Sequence, residues 1–355
     1  MSKAEWNDAG SHVAGTGYAD AAYPIYAALF ESGLVSVRTH IERNAPKIPG
    51  VGYSLKRKTA ELPCPIVINN TIPELYAVGT EYSIGFTYWE TNALNPDWIG
   101  NMNQMDEIWT TSKFMKNVFI KSGVTKPVYA FNLGVDPELY SPYKRKPHKP
   151  FTFLSMGSPS TRKNSQMAVD AFLHLFGRDE NYKLIYKSNG PPDARLHKNT
   201  NNLSSIQGHP RIEVIDWKLS ESLLSALYDE ADCLLYPTSG EGWGLIPFQA
   251  IAKGIPTICT NATACEEYAE MSVPLDYKWS KINMTGIYHN TGEWAEPSFD
   301  DLCDKMLYVV KNYDAVSNKT LEGAKYINEN MTWDKVTKDY TNRLCQILNM
   351  LNKKA

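Results

Sequence analysis

The sequence predicts an α/β protein built as two doubly wound domains, and three observations predict it. Short β-rich apolar runs alternate with amphipathic stretches, the pattern of parallel strands joined by crossover helices. The length of 355 residues exceeds what a single core comfortably serves and suits two domains of about 150–200 residues. A Pro- and cation-rich stretch without an apolar face, residues 140–150, interrupts the alternation and reads as a linker. Domains are expected over residues 1–148 and 149–330, followed by a helical tail over 331–355.

Taken in order, strands are expected at 35–39, 65–69, 83–88, 107–110 and 128–131 in the first half. Helices are expected over 18–32 and 112–122, the second opened by Ser112 as N-cap and stopped near Gly123. After the linker a fresh series begins with a strand at 151–156. A helix follows over 164–176, with Met167, Ala168, Ala171, Phe172, Leu175 and Phe176 on one face. Strands at 184–186 and 212–215, a helix over 220–231, a strand at 233–236, a helix over 245–253 and a strand at 256–259 complete the alternation. The tail over 331–351 reads as a helix starting near Thr332-Trp333-Asp334. It can cap the second domain or cross back to the first, and its periodicity fits both.

Composition removes several classes. Lys and Arg number 36 against 39 Asp and Glu, a net charge of -3, so no global basicity points to nucleic acid. A 43% hydrophobic content excludes a wholly disordered chain. The six cysteines lack C-x-x-C spacing, and Cys233 and Cys259 sit in apolar runs as small buried hydrophobes. The N-terminus lacks the apolar core of a signal peptide, and no stretch approaches the roughly 18 apolar residues of a membrane span. The expectation is a soluble, enzyme-sized protein of a reducing compartment, the cytoplasm.

Two turns of the second domain carry the chemistry. Ser239-Gly240-Glu241-Gly242-Trp243-Gly244-Leu245 follows an apolar strand and opens a helix. Gly242 and Gly244 let backbone approach a ligand, free N–H groups at the helix start favour an anion, and Glu241 stands at a strand's carboxyl end, where open α/β sheets bind ligands. Such a site suits a molecule with a phosphate and hydroxyls. Earlier, the strand at 151–156 leads through Gly157 and Ser158 to Arg162-Lys163-Asn164. Two cations just before a helix oppose its dipole, an arrangement that makes sense if an anion binds between them.

Both segments resemble the retaining nucleotide-sugar glycosyltransferases of family 4, with the two-Rossmann GT-B fold. That family carries Glu-x7-Glu in an EGFG-like turn followed by an A…G.P run. This chain has Glu241-Gly242-Trp243-Gly244, then Ala252-Lys253-Gly254-Ile255-Pro256. Arg162-Lys163 resembles the family's diphosphate-binding pair, and Gly15-Thr16-Gly17-Tyr18 its glycine-rich loop after the first strand. Asp106 to Ser112, Gly134-Val135-Asp136 with Tyr140-Ser141-Pro142, and Asp229 to Pro237 match further family segments in the right order. There are two departures. The second motif glutamate is replaced by Gln249, whose amide still donates and accepts hydrogen bonds, so altered donor recognition is expected. Ser158 also stands where the family has an arginine after the strand glycine.

The resemblance implies two Rossmann-like domains facing a cleft and transfer of a sugar from a nucleoside diphosphate to a hydroxyl with retained configuration. Glu241, Arg162 and Lys163 would be catalytic. Gly15, Thr16, Gly17, Ser158, Lys187, Trp217, Gly242, Trp243, Gly244, Leu245 and Gln249 would contact the donor, with Trp217 a candidate to stack on the base. No Asp-x-Asp occurs in the chain, and Arg162, Lys163 and a helix N-terminus are the natural stabilisers of the leaving diphosphate. Metal-independent catalysis without a resident cofactor is therefore expected.

The first domain is expected to bind the acceptor, through Glu90 after a strand and through Asp8 and His12 near the first loop. Within residues 37–60, six Lys and Arg, including Arg57, face one carboxylate, Glu42, beside several Pro and Gly. A basic loop suits an anionic acceptor, either DNA carrying hydroxymethylated pyrimidines or a glycan or lipid precursor. A different class stays open beside these: a non-catalytic sugar-nucleotide or glycan-binding protein with a degenerate site.

Overall fold

The computed structural model describes residues 4–8, 17–40, 64–79, 81–188, 206, 208–282, 286–289 and 291–353. The chain forms two compact units. The first comprises residues 1–134, 282–292 and 333–355, and the second residues 135–281 and 293–332. The division thus falls ahead of the linker at 140–150. A short internal segment and the tail join the first unit, which local sequence patterning does not express.

The first unit opens with β1 (Ala4–Asp8), α1 (Gly17–Glu31) and β2 (Val35–His40), then β3 (Ile66–Asn70) and β4 (Tyr82–Phe86). Next come α2 (Pro96–Met102), β5 (Glu107–Thr110), α3 (Lys113–Ser122) and β6 (Val128–Ala130). Among the described residues the sheet order is β2-β1-β3-β4-β5-β6, with every pairing parallel. Parallel strands covered on both faces are buried throughout. Strand β3 is buried at all five positions, apolar over Ile66–Ile68 and ending in Asn69, whose amide oxygen accepts from the Ala77 N–H at 3.1 Å, and Asn70. Helix α3 is punctuated as its residues dictate. The Ser112 hydroxyl accepts from the Met115 N–H at 3.2 Å, and Gly123 ends the helix at φ 109°. Helix α2 carries a weak periodic signal over seven residues. It forms because Asn95 caps it and Pro96 supplies the first-turn φ.

The second unit repeats the scheme with β7 (Phe151–Met156), α4 (Ser165–Phe176), β8 (Tyr182–Lys187), β9 (Ile212–Ile215), α5 (Glu221–Asp229), β10 (Cys233–Tyr236), α6 (Leu245–Ala252) and β11 (Thr257–Thr260). It continues with β12 (Val273–Leu275), the antiparallel pair β13 (Tyr277–Lys281) and β14 (Glu293–Pro297), and helices α7 (Phe299–Lys311) and α8 (Tyr313–Asn330). Its parallel sheet runs β12-β11-β10-β7-β8-β9. The order reverses between β7 and β10, so the turns leaving these two strands flank the switch point of the sheet. One apolar cluster of Phe151, Phe153, Phe172, Leu235, Ile258 and Met306 binds sheet to helices.

The last helix, α9 (Trp333–Asn352), belongs to the first unit. Its buried positions Val336, Thr337, Tyr340, Leu344 and Ile347 form one stripe. Tyr340 packs on Phe86, Trp109 and Phe131 and donates its hydroxyl to the Phe131 carbonyl at 2.9 Å. No helix among the described residues is long and apolar enough to cross a membrane.

Candidate active site

The switch point of the second sheet brings the two chemically informative turns together. Strand β7 ends at Met156, and the chain passes Gly157 and the exposed Ser158 into a short 3-10 turn, Thr161–Lys163. Asn164 then takes the left-handed conformation at φ 48° and starts α4, its amide donating to the Ser239 hydroxyl at 2.7 Å. From the other side, β10 ends at Tyr236, and residues 238–244 lead into α6. The Ser239 N–H donates to the Arg162 carbonyl at 2.7 Å, which ties the two turns backbone to backbone.

At their meeting point lies Glu241, 6% exposed. The Lys163 amine donates to its Oε1 at 2.6 Å, and Arg162 Nη1 stands 3.3 Å from the same oxygen while also donating to the Gly240 carbonyl. Burial pushes the Glu241 carboxyl up. The Lys163 and Arg162 cations beside it outweigh burial and hold it at about 2. The pair of cations ahead of α4 therefore has a carboxylate as its partner, and two half-buried cations and one buried carboxylate form one cluster.

The turn after Glu241 is shaped by close approach. Gly244 sits at φ 83°, and a Cβ there would come within 2.4 Å of the Tyr268 hydroxyl, so both conformation and space demand glycine. The Glu241 N–H donates to the Thr263 hydroxyl at 3.0 Å, and the Glu241 carbonyl accepts from the Ala264 N–H at 3.3 Å. Thr263 itself adopts φ 56°, a strained value for a β-branched residue. Tyr236, Thr238, Thr263 and Tyr268 complete the site, yet nothing in their local sequence sets them apart from ordinary strand and loop residues.

The other expected donor residues spread out. Gly242 and Leu245 lie in the same turn and the first position of α6. Trp243 is 3% exposed and packs on Phe248 and Tyr268, so its ring serves the core. Gln249 Oε1 lies 3.3 Å from the Tyr228 hydroxyl, whose nearer acceptor is the Ile246 carbonyl at 2.9 Å. Lys187 is buried at the end of β8, donates to the Ser188 carbonyl, and has its ammonium pKa lowered by burial against the opposing pull of Asp216. Trp217 is 58% exposed, which leaves its ring open. Gly17 begins α1 in the first unit, and Asp8 ends β1; Gly15, Thr16, His12 and Arg57 lie outside the described residues.

In the first unit Glu90 follows β4 and is half-buried, and the Tyr288 hydroxyl donates to its Oε2 at 3.1 Å. Tyr288 comes from the 282–292 segment. That segment is fixed by Thr91 donating to the Thr291 carbonyl at 2.7 Å and by Asn95 donating to the Ile287 carbonyl at 3.1 Å.

Residues 112–339 match the family described as GT4-conflict, family 4 glycosyltransferases in conflict systems. The chain belongs to this glycosyltransferase family. A protein of the Sulfolobus islandicus filamentous virus that carries the name of glycosyltransferase 45 is 24% identical over 251 residues, 65% of this chain and 66% of the viral protein. The aligned stretch thus spans just under two thirds of that relative's length. Among solved structures, sucrose-phosphate synthase from Thermosynechococcus elongatus superimposes with a TM-score of 0.68 at 10% identity, covering 98% of this chain and 100% of that one. Anabaena HepE in complex with UDP gives 0.65 at 12% identity, over 97% and 100%. At such identities the likeness establishes the fold, and this chain shares the GT-B architecture of these neighbours.

Proposed function

We propose that this glycosyltransferase moves a sugar from a nucleoside diphosphate to an acceptor hydroxyl, with retained anomeric configuration and without a metal. The observation that carries the reading is the cluster of Arg162, Lys163 and Glu241 at the switch point of the second unit. Loss of the nucleotide develops negative charge on a diphosphate oxygen. Two preorganised cations in a buried site stabilise that charge far more strongly than they would in water. They fill the role that a divalent ion takes in other transferases. Glu241 accepts hydrogen bonds from the sugar hydroxyls, and a diphosphate oxygen takes the acceptor's proton as the new glycosidic bond forms. The complex of Anabaena HepE with UDP supports a nucleotide in such a fold.

The first unit supplies the acceptor side, where Glu90, oriented by Tyr288, is the contact to test. The two acceptor classes to assay are DNA with hydroxymethylated pyrimidines and glycan or lipid precursors. The deciding measurement is nucleotide release from a panel of UDP- and GDP-sugars, with and without these acceptors. Release is expected with one donor, unchanged in EDTA and abolished in Glu241→Ala. Turnover lost in EDTA and restored by Mg²⁺ would end the metal-free reading. An inverted anomeric proton coupling in the product would end the retaining one.

A further inference from the structure

Among the described residues, the Glu241 carboxylate is held through one of its two oxygens. Lys163 Nζ at 2.6 Å, the Thr238 hydroxyl at 2.8 Å and the Tyr236 hydroxyl at 3.0 Å all donate to Oε1, and Arg162 lies 3.3 Å from the same atom. Among the described residues no donor reaches Oε2. The backbone on both sides of the side chain is pinned as well, through Thr263 and Ala264.

Charge balance does not require this arrangement, because the two cations alone neutralise the carboxylate. The hydroxyls are extra, and they come from places where a hydroxyl has to be accounted for. Tyr236 is the last residue of an otherwise apolar strand and is 2% exposed, and Thr238 is 1% exposed. A buried hydroxyl without a partner is costly, and each of these finds Oε1. Tyr236 also accepts from the Lys163 amine at 2.7 Å, so one phenol orders both members of the ion pair. The terminal torsion of a glutamate is broad and soft. With donors from two separate turn positions on one oxygen, turning the carboxylate out of its plane breaks several bonds together.

We infer that Tyr236 and Thr238 are positioning residues, whose hydroxyls fix the Glu241 carboxylate so that Oε2 is presented to a hydroxyl of the donor sugar. The inference rests on the reading of this cluster as the donor site. It makes Thr238 selective for the sugar part of the donor, while Tyr236, which also bonds Lys163, acts on the sugar part more than on the nucleotide part.

Isothermal titration of the full chain tests this, with UDP, GDP, UDP-glucose, UDP-N-acetylglucosamine and GDP-mannose as probes. The quantity read is the affinity for a sugar-bearing nucleotide divided by that for the bare nucleotide. For the probe that wild type binds best, Tyr236→Phe and Thr238→Val are each expected to lower this ratio about 10-fold, the value of a hydrogen bond to a charged group. Affinity for the bare nucleotide should stay near the wild-type value in Thr238→Val, whose hydroxyl bonds neither cation's charged group. In Tyr236→Phe it should fall by less than affinity for the sugar-bearing nucleotide. Both variants lower the thermal midpoint, because a buried bond to Glu241 is lost. An unchanged ratio in both variants overturns the inference. So does a parallel fall for bare and sugar-bearing nucleotides, which would mean that the hydroxyls only hold the turn. If wild type binds none of the probes, the donor-site reading fails and takes the inference with it.

Discussion

Glu241 is a carboxylate kept ionised inside the protein, and its surroundings set two measurable properties. Its pKa is lowered from 4.5 to about 2 by Lys163 and Arg162 against the effect of burial. A carboxyl lowered on folding contributes stability that is complete above its unfolded pKa and is lost as pH falls through the folded one. Wild-type stability relative to Glu241→Gln should therefore be flat at neutral pH and decline between 4.5 and about 2 in denaturation titrations. Parallel pH profiles for the two proteins would contradict this. The second property is catalytic. Lys163→Met removes a cation that is 2.6 Å from the carboxylate and leaves Arg162, so nucleotide release should fall about 100-fold, the scale of one electrostatic stabiliser. The residues of this cluster were legible in the sequence because glycines, cations and a carboxylate stand at the ends of strands. What spacing could not express is that the cations and Glu241 pair with each other. They lie 79 and 78 residues apart in the chain, and only the strand order β10-β7 makes them neighbours.

Among the elements, α9 shows how a helix is tied to a sheet by more than its apolar stripe. Arg343 pairs with Glu107, a fully buried carboxylate of β5 that also accepts from the Trp109 indole at 2.6 Å and the Tyr82 hydroxyl at 2.9 Å. The guanidinium lies 4.2 Å from the centre of the Tyr129 ring. Arg343→Met would leave Glu107 buried without its cation, which typically costs about 3–5 kcal/mol, and urea denaturation should show the loss. The double change Glu107→Gln with Arg343→Met should restore much of it, because the charge and its partner then leave together. Periodicity marked the helix. Its address in the first unit depends on Tyr340 and Arg343 finding residues over 200 positions earlier, which no local pattern encodes. Ten of the twelve strands described in the two sheets announced themselves as short apolar runs. Strand β1, which carries Glu5, Asn7 and Asp8, and the three-residue β12 did not, and neither did the hairpin of β13 and β14. Its strands pair across an 11-residue excursion that joins the first unit, and the exposed β13 lacks an apolar run.

At the scale of the whole molecule, a ligand that binds the folded protein alone raises its stability by mass action. A nucleoside diphosphate at 100 times its Kd should add about 2.7 kcal/mol, visible as a higher thermal midpoint that disappears in Arg162→Ala with Lys163→Ala. The same molecule has a property of a different kind. The first unit is assembled from residues on both sides of the second, so the chain leaves it at residue 134 and completes it only with residues 333–355. A ribosome making this protein delivers α9 after every segment of the second unit. Until then Phe86, Trp109 and Phe131 lack the Tyr340 ring that packs on all three, while every segment of the second unit has already emerged. The order of manufacture is thus the reverse of the order in which the units begin: the half that starts first is finished last, and during synthesis its aromatic face is the surface for chaperones to guard.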